Sequence, residues 1–139
     1  MAGTAFAGGH GGNPAVKARK AHMQLYAFNL GTLGGMARGN IEYNAEAASA
    51  AASNLAALAN LSQRAYWLPN TAVGDVEGSR ALPAIWQDGS TAGAKGMQMA
   101  EAATALAAVA GDGLDALRGA MGPVGGACGD CHKAYRQPK

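Results

Sequence analysis

The chain has 139 residues, 49% of them apolar, enough for one domain with a single core. Only 14% are charged, the net charge is +2 and no basic run occurs, so no strong field is available to grip nucleic acid or an anionic membrane. No apolar stretch reaches the roughly 18 residues of a membrane span, and with 21 glycines and only 6% aromatics the helices can approach closely but bury little area each, so something else has to fill the middle.

At the start, Ala5-Phe6-Ala7 has the A-x-A form that precedes signal-peptidase cleavage, without a charged and apolar region ahead of it. Residues 1–13 read as a disordered remnant of an export signal, and 14–139 as the folded domain. Were cleavage to follow Ala7, a Gly8-Gly9-His10 terminus would hold the donors of a square-planar Cu(II) site, although a loose tail is the plainer account.

Asn13-Pro14 is a helix start, with Asn as cap and Pro in the first turn. Val16, Arg19, Met23, Tyr26, Leu30, Leu33 and Ala37 then recur at steps of three and four, the seam of a bundle helix over 14–38 that Gly39 stops. Asn44 caps a second helix over 45–63, with Ala48, Ala51, Leu55, Leu58 and Ser62 inward. The short link makes these two antiparallel neighbours. Next comes an aperiodic connection of about 25 residues, long enough to be functional in its own right. It holds Pro69, Gly74, Gly78 and Pro83, with Trp67 and Trp86 near its ends as anchors into the core.

A third helix over 91–110 places Gly96, Met99, Ala103, Leu106 and Val109 inward, and Met97 on another face. The fourth, over 113–137, carries Leu114, Leu117, Met121, Val124, Cys128 and Tyr135 on one stripe. Pro123 inside it predicts a bend or a break. The expected fold is all-α, an antiparallel four-helix bundle with one long crossover between the second and third helices.

The last helix carries the chemistry. Cys128, Cys131 and His132 form C-x-x-C-H, with the only two cysteines of the chain. At helical spacing all three point to one side. Two such thiols can add to the two vinyl groups of one haem, and the histidine then lies beneath the iron as proximal ligand. Zinc would need four ligands, and only His10 and His22 remain as further histidines. A thioredoxin-like pair wants a strand before the motif, and a disulfide between residues three apart would strain a helix. One covalently attached haem c also supplies the core area that Ala-rich helices lack, and thioether attachment fits an exported compartment.

The sequence resembles the class II c-type cytochromes, the cytochrome c′ family. The likeness is carried by C-x-x-C-H-x-x-Y-R from Cys128 to Arg136 and by G-x-V-G-x-x-C from Gly122 to Cys128. R-K-x-x-M from Arg19 to Met23, G-x-L-x-x-M-A-x-G from Gly31 to Gly39, and L-P-x-I-W from Leu82 to Trp86 add to it. It covers nearly everything from Pro14 onward, with Pro123 as a departure. The resemblance implies a four-helix bundle, a periplasmic location and a homodimer through the first two helices. It implies that Arg19 contacts a haem propionate, with Lys20 as a weaker candidate, and that Arg136 lies close to the proximal histidine, where it tunes that ligand or a small molecule beside it. Met23 matches the position that faces the open side of the iron.

That position separates two functions. With Met23 as sixth ligand to iron opposite His132, the protein is a one-electron carrier serving redox partner proteins, and this is the expectation adopted from the sequence. With Met23 only shielding the distal face, the iron is five-coordinate and binds nitric oxide or carbon monoxide. His22 is rotated about 100° from Met23 on a helix and is not expected to compete, while Tyr26 lines the pocket. No nucleophile–base pair or paired carboxylates appear within a recognisable motif, so an enzyme is not expected.

Overall fold

The computed structural model describes residues 12–139; the readings that fall on residues 1–11, the A-x-A remnant and the Gly8-Gly9-His10 site, lie outside the described residues. Four helices carry the fold: α1 Pro14–Ala37, α2 Ala45–Ala59, α3 Ala92–Val109 and α4 Leu114–Tyr135. The Asn13 side chain accepts from the backbone N–H of Ala15 and Val16 at 2.9 and 3.3 Å, and Asn44 accepts from Ala47 at 2.8 Å, so two orphan N-termini are closed as the sequence indicates. The helices form the expected all-α bundle. α3 packs chiefly on α4 and α2, α1 packs on α2, and α1 meets α4 over less surface.

The core is built from Leu33, Leu55, Leu106, Leu117 and Val124, all fully buried, filled in by Ala48, Ala52 and Ala103. Small residues let the turns close tightly. Tyr43 Oη donates to Ala110 O at 2.8 Å and accepts from Gly113 N at 3.0 Å, which clamps the α3–α4 turn to the α1–α2 link.

Four expectations about the helices need correction. In α1 the buried seam runs Ala15, Arg19, His22, Tyr26, Asn29, Leu33 and Met36, while Met23 and Leu30 are only half-buried. Val16, Arg19, Tyr26 and Leu33 of the expected seam are buried, and at two other turns His22 and Asn29 are buried in place of Met23 and Leu30. Both polar side chains find partners inside: His22 Nε2 donates to Leu58 O at 2.8 Å, and Asn29 donates to Leu25 O and accepts from Asn54 Nδ2 at 3.1 Å. In α2 the helix stops at Ala59, because Asn60 turns its amide back on Ala56 O at 2.8 Å, and Ser62 is exposed beyond the end. In α4 the chain passes through Pro123 as an unbroken helix. Pro123 faces outward, and the carbonyl it deprives of a donor belongs to exposed Gly119, where water can replace the lost bond. Gly96 of α3, expected inward, is exposed.

The crossover, residues 60–91, is irregular apart from short 3-10 turns at Arg64–Tyr66 and Pro83–Trp86. Ala81 forms an isolated antiparallel bridge with Arg136, just past the end of α4. Trp67 and Trp86 are half-buried and outside the central core cluster; they anchor the crossover to itself and to Arg19, since Trp86 Nε1 donates to Trp67 O at 2.9 Å.

Gly111 shows how closely these helices approach. A Cβ there would collide with Ser49 Oγ on α2. Ser49 can turn its hydroxyl to another rotamer, so Gly111→Ala should destabilise the protein by no more than about 1 kcal/mol, read from urea midpoints, and Ser49→Ala in the same chain should restore that loss.

Candidate haem site

The motif lies in the last two turns of α4, where Val124 and Ala127 are buried and hold the helix against the core. Cys128 and Cys131 are both free thiols and both half-buried. Cys128 points toward the interior, with its Sγ donating to Met99 Sδ of α3 at 3.9 Å. Burial pushes its thiol pKa up, and Cys131 next to it adds to the rise against a smaller opposing effect of a backbone hydrogen bond. Burial likewise pushes Cys131 up, opposed by the charge of Lys95 on α3. Raised thiol pKa values are the opposite of the lowered ones that mark a redox dithiol.

His132 is half-buried. Desolvation holds its imidazole below the usual range, and the charges of Arg136 and then Arg80 act in the same direction. A neutral imidazole is the form that binds a metal. Beside it a cleft of about 470 Å³ is lined by Gly129, His132, Lys133, Arg136 and Pro138. Arg136 is exposed, with its backbone paired to Ala81. Arg80, on the crossover, donates from Nη2 to Gln137 O at 2.6 Å. The sequence reading missed Arg80. It stands two residues before the L-P-x-I-W stretch, and only the antiparallel bridge brings it to the motif.

Arg19 is buried on α1, only 5% exposed, and is not a solvated surface charge. Among the described residues the one salt bridge joins Arg118 to Asp115, so no carboxylate neutralises Arg19. Lys20 is exposed, with its ammonium beside Gly78 of the crossover. Met23 is half-buried and packs against the core cluster. Its neighbour His22 is 4% exposed, stacked on Tyr26 with centroids 4.6 Å apart and edge-on to Tyr66 at 5.9 Å. Tyr26, on the same helix, lies near Cys128. The aromatic row therefore runs from the crossover toward the cysteine motif.

These residues fit a covalently held haem. Two tether thiols and a neutral imidazole share one helix, and a buried cation without a carboxylate calls for an anionic edge. Among the described residues no group of three or more His, Cys, Asp and Glu side chains gathers as a metal ion bound by protein alone would need.

A helical bundle with this motif on its last helix is a c-type cytochrome of the class II architecture. The cytochrome c′ family matches residues 14–136, and the chain belongs to that family, whose members carry a covalently attached haem c. Cytochrome c-554 of Cereibacter sphaeroides is 45% identical over 122 residues, spanning 88% of this chain and 92% of that protein. The solved cytochrome c′ of Rhodobacter sphaeroides superposes with a TM-score of 0.86 at 42% identity, covering 90% of this chain and 96% of that one. A nitric oxide complex of a cytochrome c prime variant from Alcaligenes xylosoxidans superposes with a TM-score of 0.77 at 35% identity, covering 90% and 94%.

Tyr26 gives the site a measurable signature. Its phenol is pushed up to about 12, by burial first and by Cys128 second. The unfolded chain loses this proton near pH 10. Below that the contribution to stability is fully present; as pH rises from about 10 toward 12 the unfolded state binds fewer protons than the folded one, and stability falls. Tyr26→Phe should flatten this alkaline loss, read from urea midpoints at about pH 9 and about pH 11.

Proposed function

We propose that Cys128 and Cys131 carry the thioether bonds, that His132 is the proximal ligand, and that the protein binds small diatomic gases on the side of the haem screened by Met23. The haem supplies a ferrous iron able to take nitric oxide or carbon monoxide. The remaining work belongs to the chain: α4 holds the tether and the imidazole, and α1 supplies an apolar screen that keeps water out. The observation that carries this reading is the packing of Met23, which is half-buried against the core cluster. His22 supports it by keeping its Nε2 on Leu58 O, so the nitrogen donor next to Met23 is engaged. The nitric oxide complex among the related structures also supports gas binding over the carrier role expected from the sequence.

The carrier reading stands second, favoured by the thioether itself, which is a competent sixth ligand once it reaches iron. In the first reading the reduced protein shows a broad high-spin Soret band that shifts with carbon monoxide, and Met23→Ala accelerates carbon monoxide association by about tenfold, equivalent to about 1.4 kcal/mol of barrier. A sharp low-spin spectrum indifferent to carbon monoxide would reject it in favour of the carrier.

Arg19 and, less directly, Lys20 face the anionic edge of the haem in this scheme, and Arg136 sits by the proximal ligand. A binding or carrier role, not catalysis, follows from the same residues. No helix among the described residues is long and apolar enough to cross a membrane, and we place the protein in the periplasm, where haem c is attached and a redox partner protein would keep the iron reduced. Leu25 and Phe28 on α1 are 51% and 74% exposed. Such side chains suit a homodimer through α1 and α2. Phe28→Glu should convert a dimeric species to monomer on size-exclusion chromatography with light scattering.

A further inference from the structure

The two sides of the site lie on α1, with Met23, and on α4, with His132, and these helices meet over little surface. The crossover joins them. On the α4 side it is fastened by backbone: Leu82 N donates to Tyr135 O at 2.8 Å and Gln137 N to Arg80 O at 2.7 Å. On the α1 side it is fastened by one side chain. Arg19 Nη1 donates to Tyr66 O at 3.2 Å and to Thr71 Oγ1 at 2.8 Å, and Nη2 donates to Thr71 O at 2.5 Å and to Ser79 Oγ at 2.8 Å. The acceptors are themselves locked: Thr71 Oγ1 donates to Leu68 O and Ser79 Oγ to Thr71 O, each at 2.7 Å. Trp67 and Trp86 lie 4.9 and 5.9 Å from the guanidinium carbon.

All four N–H bonds of the terminal amino groups are thus spent on the crossover, leaving Nε–H as the free donor of the five. Arg19 and Met23 are one turn apart on the same face of α1. We propose that the crossover is a strap fixing the separation of α1 from α4, and that Arg19 is the positioning residue that fastens it and so decides whether Met23 can reach the iron. The proposal rests on the gas-binding reading of this site and adds what maintains it. Four directed bonds on a planar fork define an orientation that a lysine ammonium would not reproduce. With the strap fastened, Met23 stays a screen; with it released, α1 is free to shift and the flexible thioether can bind the metal.

The test uses the haem-loaded protein. Arg19→Gln removes the fork. The double variant Thr71→Val/Ser79→Ala removes two acceptors and leaves the cation in place, which separates fastening from any effect of charge on the haem. In both, trypsin cleavage after Arg64 and Arg80 should accelerate by at least about tenfold as the crossover opens locally. A low-spin component should appear in the ferrous spectrum, and it should disappear when Met23→Leu is added. Cleavage rates equal to wild type in both variants would overturn the proposal. So would an opened crossover with an unchanged spectrum, or a low-spin component that survives Met23→Leu. The gas-binding reading is judged separately, on the wild-type response to carbon monoxide. If wild type is already low-spin, that reading fails, and the strap is upheld only if the variants change the Met23-dependent fraction.

Discussion

A single buried guanidinium organises the part of this protein that is not helical. Removing a permanent charge from water is costly unless its hydrogen bonds are made and its field is answered. Arg19 meets the first condition with four oxygens of the crossover and two indole rings. It does not meet the second within the described residues, where no carboxylate pairs with it. Burial accordingly lowers the guanidinium pKa from its ordinary value. In the proposed scheme an anionic edge of the cofactor would answer that charge, so that the segment without regular structure and the prosthetic group would depend on the same side chain.

The helices impose a second constraint. Alanine and glycine let α2, α3 and α4 pack closely, as the would-be clash between Gly111 and Ser49 shows, but such residues carry little apolar area. Five large aliphatic side chains are fully buried, and one of them, Val124, stands one turn before Cys128 on α4. The motif begins where the core ends. Cys128 makes the junction, reaching Met99 in the interior while its helix carries His132 toward the cationic cleft. Burial shifts both thiols up, the opposite of the lowered thiol of a redox dithiol, and shifts the imidazole down, toward the neutral form that binds metal.

Helix existence and order were legible because each helix announces itself by a cap and an apolar period. Positions inside the helices were less so. Reading α1 by apolar character alone selected Met23 and Leu30, yet His22 and Asn29 are the buried ones. A polar side chain is buried when a partner waits for it, and the partners here are Leu58 O and Asn54 on α2, which periodicity in α1 does not reveal. The same holds for the end of α2, decided by the local bond of Asn60, and for Pro123, tolerated because its face of α4 is solvent.

By itself the sequence determined the class of fold, the C-x-x-C-H motif and its place on the last helix, because these rest on spacing along a single helix and need no knowledge of neighbours. Tertiary structure decided that Arg19 is the fastening of the crossover, that Arg80 stands by His132, and that Thr71 and Ser79 matter at all. Those relations join residues dozens of positions apart through hydrogen bonds of an irregular segment. Such bonds have no period and leave no pattern in the chain; they exist only once the helices have set the distance the crossover must span.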